Sequence, residues 1–207
     1  MARVPVFVPP TRRTPKRAER PPMAWELLYA FTGHERRILI KALHTGVSMN
    51  KSEIPAAQKA ALSLLLDDHK KVKKIFKDFE KEKDDGARQK MVEEACMELT
   101  VHTKIEEEKF YPYLRDQDPE AFGDLLDEAK VEHASAKDLI AQLQGMGPED
   151  DLYAATFTVL GEYVNHHVTE EEDELFPKVI SKKIDLKEVA QEMETLKQEL
   201  MPVAATS

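Results

Sequence analysis

The chain is 207 residues long, 33% charged and 7% aromatic with only 7 glycines, a balance that fits an all-helical soluble protein with one sizeable domain and appendages. Its formal charge of −9 divides into +6 over residues 1–48 and −15 over the rest, so the body lacks the basic footprint that nucleic-acid binding requires. A single cysteine, Cys96, excludes an intramolecular disulfide, a Cys-rich zinc site or an iron–sulfur cluster within one chain, and no apolar run approaches the ~20 residues of a membrane span.

Residues 1–22 are rich in proline and carry six Arg/Lys without hydrophobic periodicity, the pattern of a disordered basic arm. The apolar core of a secretory signal is missing, and the lone cysteine suits a reducing, cytoplasmic setting. Residues 23–59 read as an N-terminal helical extension, with one helix over 23–46 loosened at Gly33. Trp25, Leu27, Leu28, Phe31, Ile38, Leu39 and Leu43 spread round much of its circumference. Packing against the body is the plain expectation, and contact with a partner or membrane surface is the other. The composition then changes, and Met49 stands just ahead of a polar stretch, Asn50 to Glu53, that leads into the next helix. On that ground translation is expected to start at Met49, which the intact mass of the native protein decides. His34 and His44 receive no role.

A helix is predicted from Ala60 to about Glu80, where Leu62, Leu65, His69, Val72, Phe76 and Phe79 recur at threes and fours on one face. Lys81 to Gly86 form a charged turn. The second helix turns Met91, Ala95, Leu99, His102, Glu106 and Phe110 inward. An unpaired carboxylate on such a stripe costs several kcal/mol, and a cation removes the problem. Glu107 and Glu108 are expected in solvent, and Cys96 reads as an ordinary small residue. Tyr111-Pro112-Tyr113 should end or kink this helix. Asp116 to Glu120 then link to the next, with Asp118-Pro119 as its start.

The third helix carries Phe122, Leu126, Ala129, His133, Ala136 and Ile140 on one face, and Gly145 to Asp150 make a turn. In the fourth, Phe157, Leu160, Val164, His167, Glu171 and Leu175 share a face. His166 and Glu170 are a rival pair at the same spacing. His167 and Glu171 are preferred because they continue the apolar row from Val164 and keep the right distance to Pro177. Asp185 to Met201 reads as a fifth amphipathic helix through Leu186, Val189, Met193, Leu196 and Leu200. It either caps the bundle or forms a homodimer contact.

Two of these segments repeat. His102, Glu106, an aromatic residue and Pro112 return as His167, Glu171, an aromatic residue and Pro177 at the same offsets, and each copy has a His upstream: His69 lies 33 residues before His102, His133 34 before His167. Residues four apart lie on one helix face, ~6 Å along the axis, so a His and a Glu so placed can point at one ion. The repeat resembles the hemerythrin-like HHE cation-binding family from about Ala60 to Val179. That resemblance implies an up-and-down four-helix bundle of two helical hairpins over 60–180, with extra N- and C-terminal helices. It also implies a centre of two non-haem, carboxylate-bridged Fe ions, with His69, His102, Glu106, His133, His167 and Glu171 as the metal ligands. Oxygen-carrying hemerythrins have a second His four residues away in the third helix. Here those positions are Ala129 and Lys137, which brings the donor set to two His and one Glu per metal.

Imidazole with carboxylate suits Fe(II), Mn(II) or Zn(II). Six side chains shared by two ions leave coordination positions free, which favours an iron pair that meets a small molecule. The leading reading is a di-iron protein that binds, senses or reacts with oxygen, peroxide or nitric oxide, with pocket walls from Leu65, Val72, Leu99, Ile105, Leu126, Leu160 and Val164. An alternative is a peroxide-disproportionating or iron–sulfur-repair enzyme. Members of the repair subgroup carry an N-terminal cysteine motif, and residues 1–59 have no Cys. A structural zinc-binding bundle, stabilised by metal binding to the native state, is the third reading.

Overall fold

The computed structural model of the chain describes residues 49–201. The basic arm, the N-terminal helix and the end of the tail lie outside the described residues, as does any test of a start at Met49. Within them every regular element is helical: α1 (Lys59–Phe79), α2 (Asp85–Ile105), α3 (Tyr111–Gln117), α4 (Pro119–Gln144), α5 (Tyr153–Glu170), α6 (Phe176–Ser181) and α7 (Lys187–Leu200). A π-helical turn, Glu106–Phe110, joins α2 to α3 without a break, and a second, Glu171–Leu175, joins α5 to α6. The result is four rods, of which α1 packs on α2 and α5 while α4 packs on α5 and α2.

The caps follow from the sequence. Asp84 accepts a hydrogen bond from the Ala87 amide at 2.8 Å and starts α2; Asp118 accepts from the Ala121 amide at 3.0 Å and, with Pro119 in the first turn, starts α4. The link expected over Asp116 to Glu120 shrinks to Asp118, because α3 runs on to Gln117. Pro112 therefore does not end the second rod; its missing N–H falls just after the π turn, where the α-type ladder is already interrupted.

The buried side chains form two apolar cores with a polar layer between them. One core contains Leu62, Leu65, Ile105, Phe110, Leu126 and Phe176; the other contains Val72, Phe76, Leu99, Ala136, Leu160 and Val164. Each rod passes from one core to the other through its histidine, and successive rods do so in opposite senses, as the alternating order of these residues shows. Fully buried Phe110, Phe122, Phe157 and Phe176 anchor the two cores, each contributing about 1.5–3 kcal/mol by transfer from water.

The last helix lies on the first hairpin. α7 packs against α1, α2 and the first π turn, burying Val189, Ala190 and Met193. The segment leading into it is held by the Leu186 amide donating to the Ala57 carbonyl (2.9 Å) and the Gln58 side-chain amide donating to the Ile184 carbonyl (2.6 Å). Among the described residues no helix is long and apolar enough to cross a membrane.

Candidate metal centre

The six predicted donors meet in the polar layer, and each is at most 6% exposed. Glu106 Oε2 lies 3.2 Å from His102 Nε2 and 3.3 Å from His133 Nε2; Glu171 Oε2 lies 3.2 Å from His69 Nε2 and 3.6 Å from His167 Nε2. His133 and His167 bring their Nε2 atoms to 3.0 Å. One group, His69, His102, Glu106 and Glu171, and a second, Glu106, His133 and His167, each place one donor atom per residue within 4.8 Å of all the others. Each histidine pair comes from one hairpin, and both carboxylates reach across the two pairs. Donors held at about 2.1 Å from one ion stand roughly 3.0–3.4 Å apart for angles between square and tetrahedral, and most of these separations fall in that range.

The buried atoms are close without satisfying one another. His69 Nε2, His102 Nε2, both oxygens of Glu106 and Oε2 of Glu171 have no aligned hydrogen-bond partner, although such groups cost several kcal/mol when buried alone. Facing carboxylates make matters worse. Burial, then the Glu171 charge, pushes Glu106 up to about 8. Burial would also raise Glu171, but His167 and His69 hold it below the ordinary carboxylate range. Burial by itself would lower His69, yet the carboxylates of Glu171 and Glu172 outweigh it and raise this imidazole to about 9. Cations between the two histidine pairs would resolve the orphaned lone pairs and the carboxylate repulsion together, so the residues fit a metal centre.

The sequence reading missed four more carboxylates. Each histidine turns Nε2 inward and gives its Nδ1 to an acid: His69 to Glu172 (3.1 Å), His102 to Asp68 (3.5 Å), His133 to Glu107 (3.0 Å) and His167 to Glu132 (2.8 Å). The scheme obeys the repeat. The residue before the first His of a hairpin serves that hairpin's second His, and the residue after the ligand Glu serves the first His of the other hairpin. Glu107, expected in solvent, is thus part of the centre. Such partners fix the tautomer and orientation of a metal-binding imidazole. Lysines neutralise three of them: Lys73 Nζ lies 3.1 Å from Glu172, Lys137 Nζ 2.6 Å from Glu107, and Lys197 of α7 pairs with Asp68.

The hemerythrin HHE cation binding domain profile matches residues 60–179, more than half of the chain. The chain belongs to that family. Among solved structures, a hemerythrin HHE cation binding domain-containing protein from Mycobacterium kansasii is similar at 22% identity with a TM-score of 0.57, covering 67% of this chain and 85% of that one. That likeness carries the fold. No curated protein gives a significant match.

Within this HHE domain the π turns place an aromatic ring over each half of the centre. Tyr111 stacks on His133 (5.6 Å, 22°) and Phe176 on His69 (5.8 Å, 5°), and the Tyr111 hydroxyl donates to Glu171 Oε1 at 2.9 Å. The two halves therefore differ by one phenol. On the other side of the histidines lies a small cavity of about 20 Å³, walled by Val72, Leu99, Thr103, Ala136, Tyr163, Val164 and Val168 together with the histidines. Val72, Leu99 and Val164 were expected there. Leu65, Ile105 and Leu126 instead belong to the opposite core, because apolar positions before and after the histidine of one helix lie on opposite sides of the His layer; Leu160 is in the same core as the cavity but does not line it.

Proposed function

We propose that this HHE domain, a metal-binding protein by family, holds two non-haem iron ions in its polar layer and meets oxygen, peroxide or nitric oxide there. The proposed ligands are His69, His102, Glu106, His133, His167 and Glu171, with Glu106 and Glu171 bridging. The observation that carries this reading is the convergence of four inward Nε2 atoms and two carboxylates, each histidine oriented by an acid at Nδ1. When bound, the metals would supply the redox chemistry and the sites for a small ligand.

The chain's own residues set the conditions. The acids at Nδ1 keep the imidazoles in the tautomer whose Nε2 lone pair faces inward and raise their basicity. The two apolar cores exclude bulk water above and below the layer. The cavity beside the histidines has room for about one water-sized molecule, which suits a small ligand such as a diatomic or peroxide. Tyr111 holds one oxygen of Glu171 through its hydroxyl proton.

The test is elemental analysis with a visible spectrum, on protein purified without added metal. Near two irons per chain is expected, with absorption that bleaches on anaerobic reduction and returns in air. His69→Ala and Glu171→Ala should each lower iron content. Full occupancy in both variants would refute the ligand set, and zinc in a colourless protein would refute the redox reading.

A further inference from the structure

Of the four acids that orient the histidines, Glu132 stands apart. Asp68, Glu107 and Glu172 each also pair with a lysine. Among the described residues Glu132 pairs with no lysine or arginine; its Oε1 faces His166 Nε2 at 3.4 Å while Oε2 takes His167 Nδ1 at 2.8 Å. His166 Nε2 also lies 3.1 Å from Glu170 Oε1. One donor atom each from Glu132, His166 and Glu170 falls within 4.8 Å of the others, at a partly exposed place on α4 and α5.

The repeat shows what this place would otherwise look like. In the first hairpin the positions matching His166 and Glu170 are Val101 and Ile105, both buried in the core under α7, and the position matching Glu132 is Asp68 with its lysine. The second hairpin replaces two apolar residues with an imidazole and a carboxylate and leaves them open to solvent. An isolated surface His–Glu pair four residues apart contributes little to stability, so stability alone does not account for the exchange. Further negative charge gathers alongside: Glu128 is raised from its ordinary range, first by burial and then by Glu170, Glu132 and Glu174.

We propose that Glu132, His166 and Glu170 form a second, surface site for a divalent cation, from which metal passes to the buried centre. One imidazole and two carboxylates suit first-row divalent ions, and the two contacts of His166, 3.4 Å to Glu132 and 3.1 Å to Glu170, already have the spacing that donors around one ion keep. The path inward is short. Glu132 touches both His166 and His167, and it lines the cavity with Tyr163, His133 and His167. The loading role rests on the proposed function; the site itself rests on its own three residues.

Mn2+ titration of the full chain, followed by the electron paramagnetic resonance of free Mn2+, tests this. Iron-loaded protein should take up one further Mn2+ per chain, bound at least tenfold more weakly in Glu170→Gln and in His166→Asn. Iron uptake by the metal-free protein should slow several-fold in Glu170→Gln with the final iron content unchanged. No additional Mn2+ in the wild type, or the same binding in both variants, would overturn the site. A manganese site with unchanged iron uptake would overturn the loading role. If the wild type holds no iron at all, the proposed function fails by that result, and the Mn2+ titration still decides the surface site, because neither substituted residue is a donor to the buried centre.

Discussion

A carboxylate at the Nδ1 of a histidine decides which nitrogen is free for a metal, and among the described residues all four buried histidines have one. Glu172 serves His69 from the other hairpin and is itself held by Lys73. Glu172→Gln keeps the shape but removes the charge that fixes the tautomer and strengthens the ligand, so it should weaken metal binding about 10–100-fold. Competition with a chromogenic chelator measures this. Glu108→Gln, one residue after the acid of the first hairpin and half exposed beside Lys104, should leave affinity unchanged. Equal affinity in the two variants would mean that the Nδ1 contact does not matter. The six inward donors were legible because His and Glu interrupt an apolar row at fixed intervals. The four acids were not, since each sits on a helix flank where periodicity reads solvent, and the partner that removes it from solvent lies 26 to 103 residues away in the chain.

The helices themselves were readable to within a few residues at their ends, with Asp84, Asp118 and Pro119 acting through local hydrogen bonds and φ preference. The π turns were not, because one extra residue per turn leaves no mark in a period of 3.6. They have a consequence for the centre: the Tyr111 amide bonds to the Glu106 carbonyl five residues back, which sets Tyr111 above the layer instead of turning it aside. Close approach of α5 to α1 was equally hidden. A Cβ on Gly161 would stand 3.0 Å from Cδ1 and 3.1 Å from Cγ of Phe76, whose buried ring is in turn pressed against Phe157 at 4.9 Å. Gly161→Ala gains about 1 kcal/mol of helix propensity but overpacks the contact at about 1–3 kcal/mol. With Phe76 hemmed in, a net loss on the order of 1 kcal/mol is expected, seen as a lower denaturation midpoint at unchanged slope. A higher midpoint would show that Phe76 yields freely.

For the molecule as a whole, the polar layer makes stability depend on protons when metal is removed. His69 sits near 9 against an ordinary 6.5, and Glu106 near 8 against 4.5. From about pH 6.5 to 9 these two groups therefore bind more protons in the folded metal-free protein than in the unfolded chain, and stability falls as pH rises through that window; below 6.5 His133, lowered by burial, acts in the opposite sense. The His69 contribution is complete below about 6.5 and is lost as pH passes 9; Glu106 loses its proton, and meets the Glu171 charge unshielded, as pH passes 8. Glu171, held below its ordinary range, acts in the opposite sense only in acid. Between pH 7 and 9 the loss should be on the order of 3 kcal/mol for these two groups. Metal displaces the same protons, so the loaded protein should be nearly flat over this range while its affinity for metal rises with pH. Urea denaturation at both pH values, with and without a chelator, separates the two states. A metal-free protein as stable at pH 9 as at pH 7 would show that water reaches the layer and screens Glu106 from Glu171, and the case for a dry centre would fall with it.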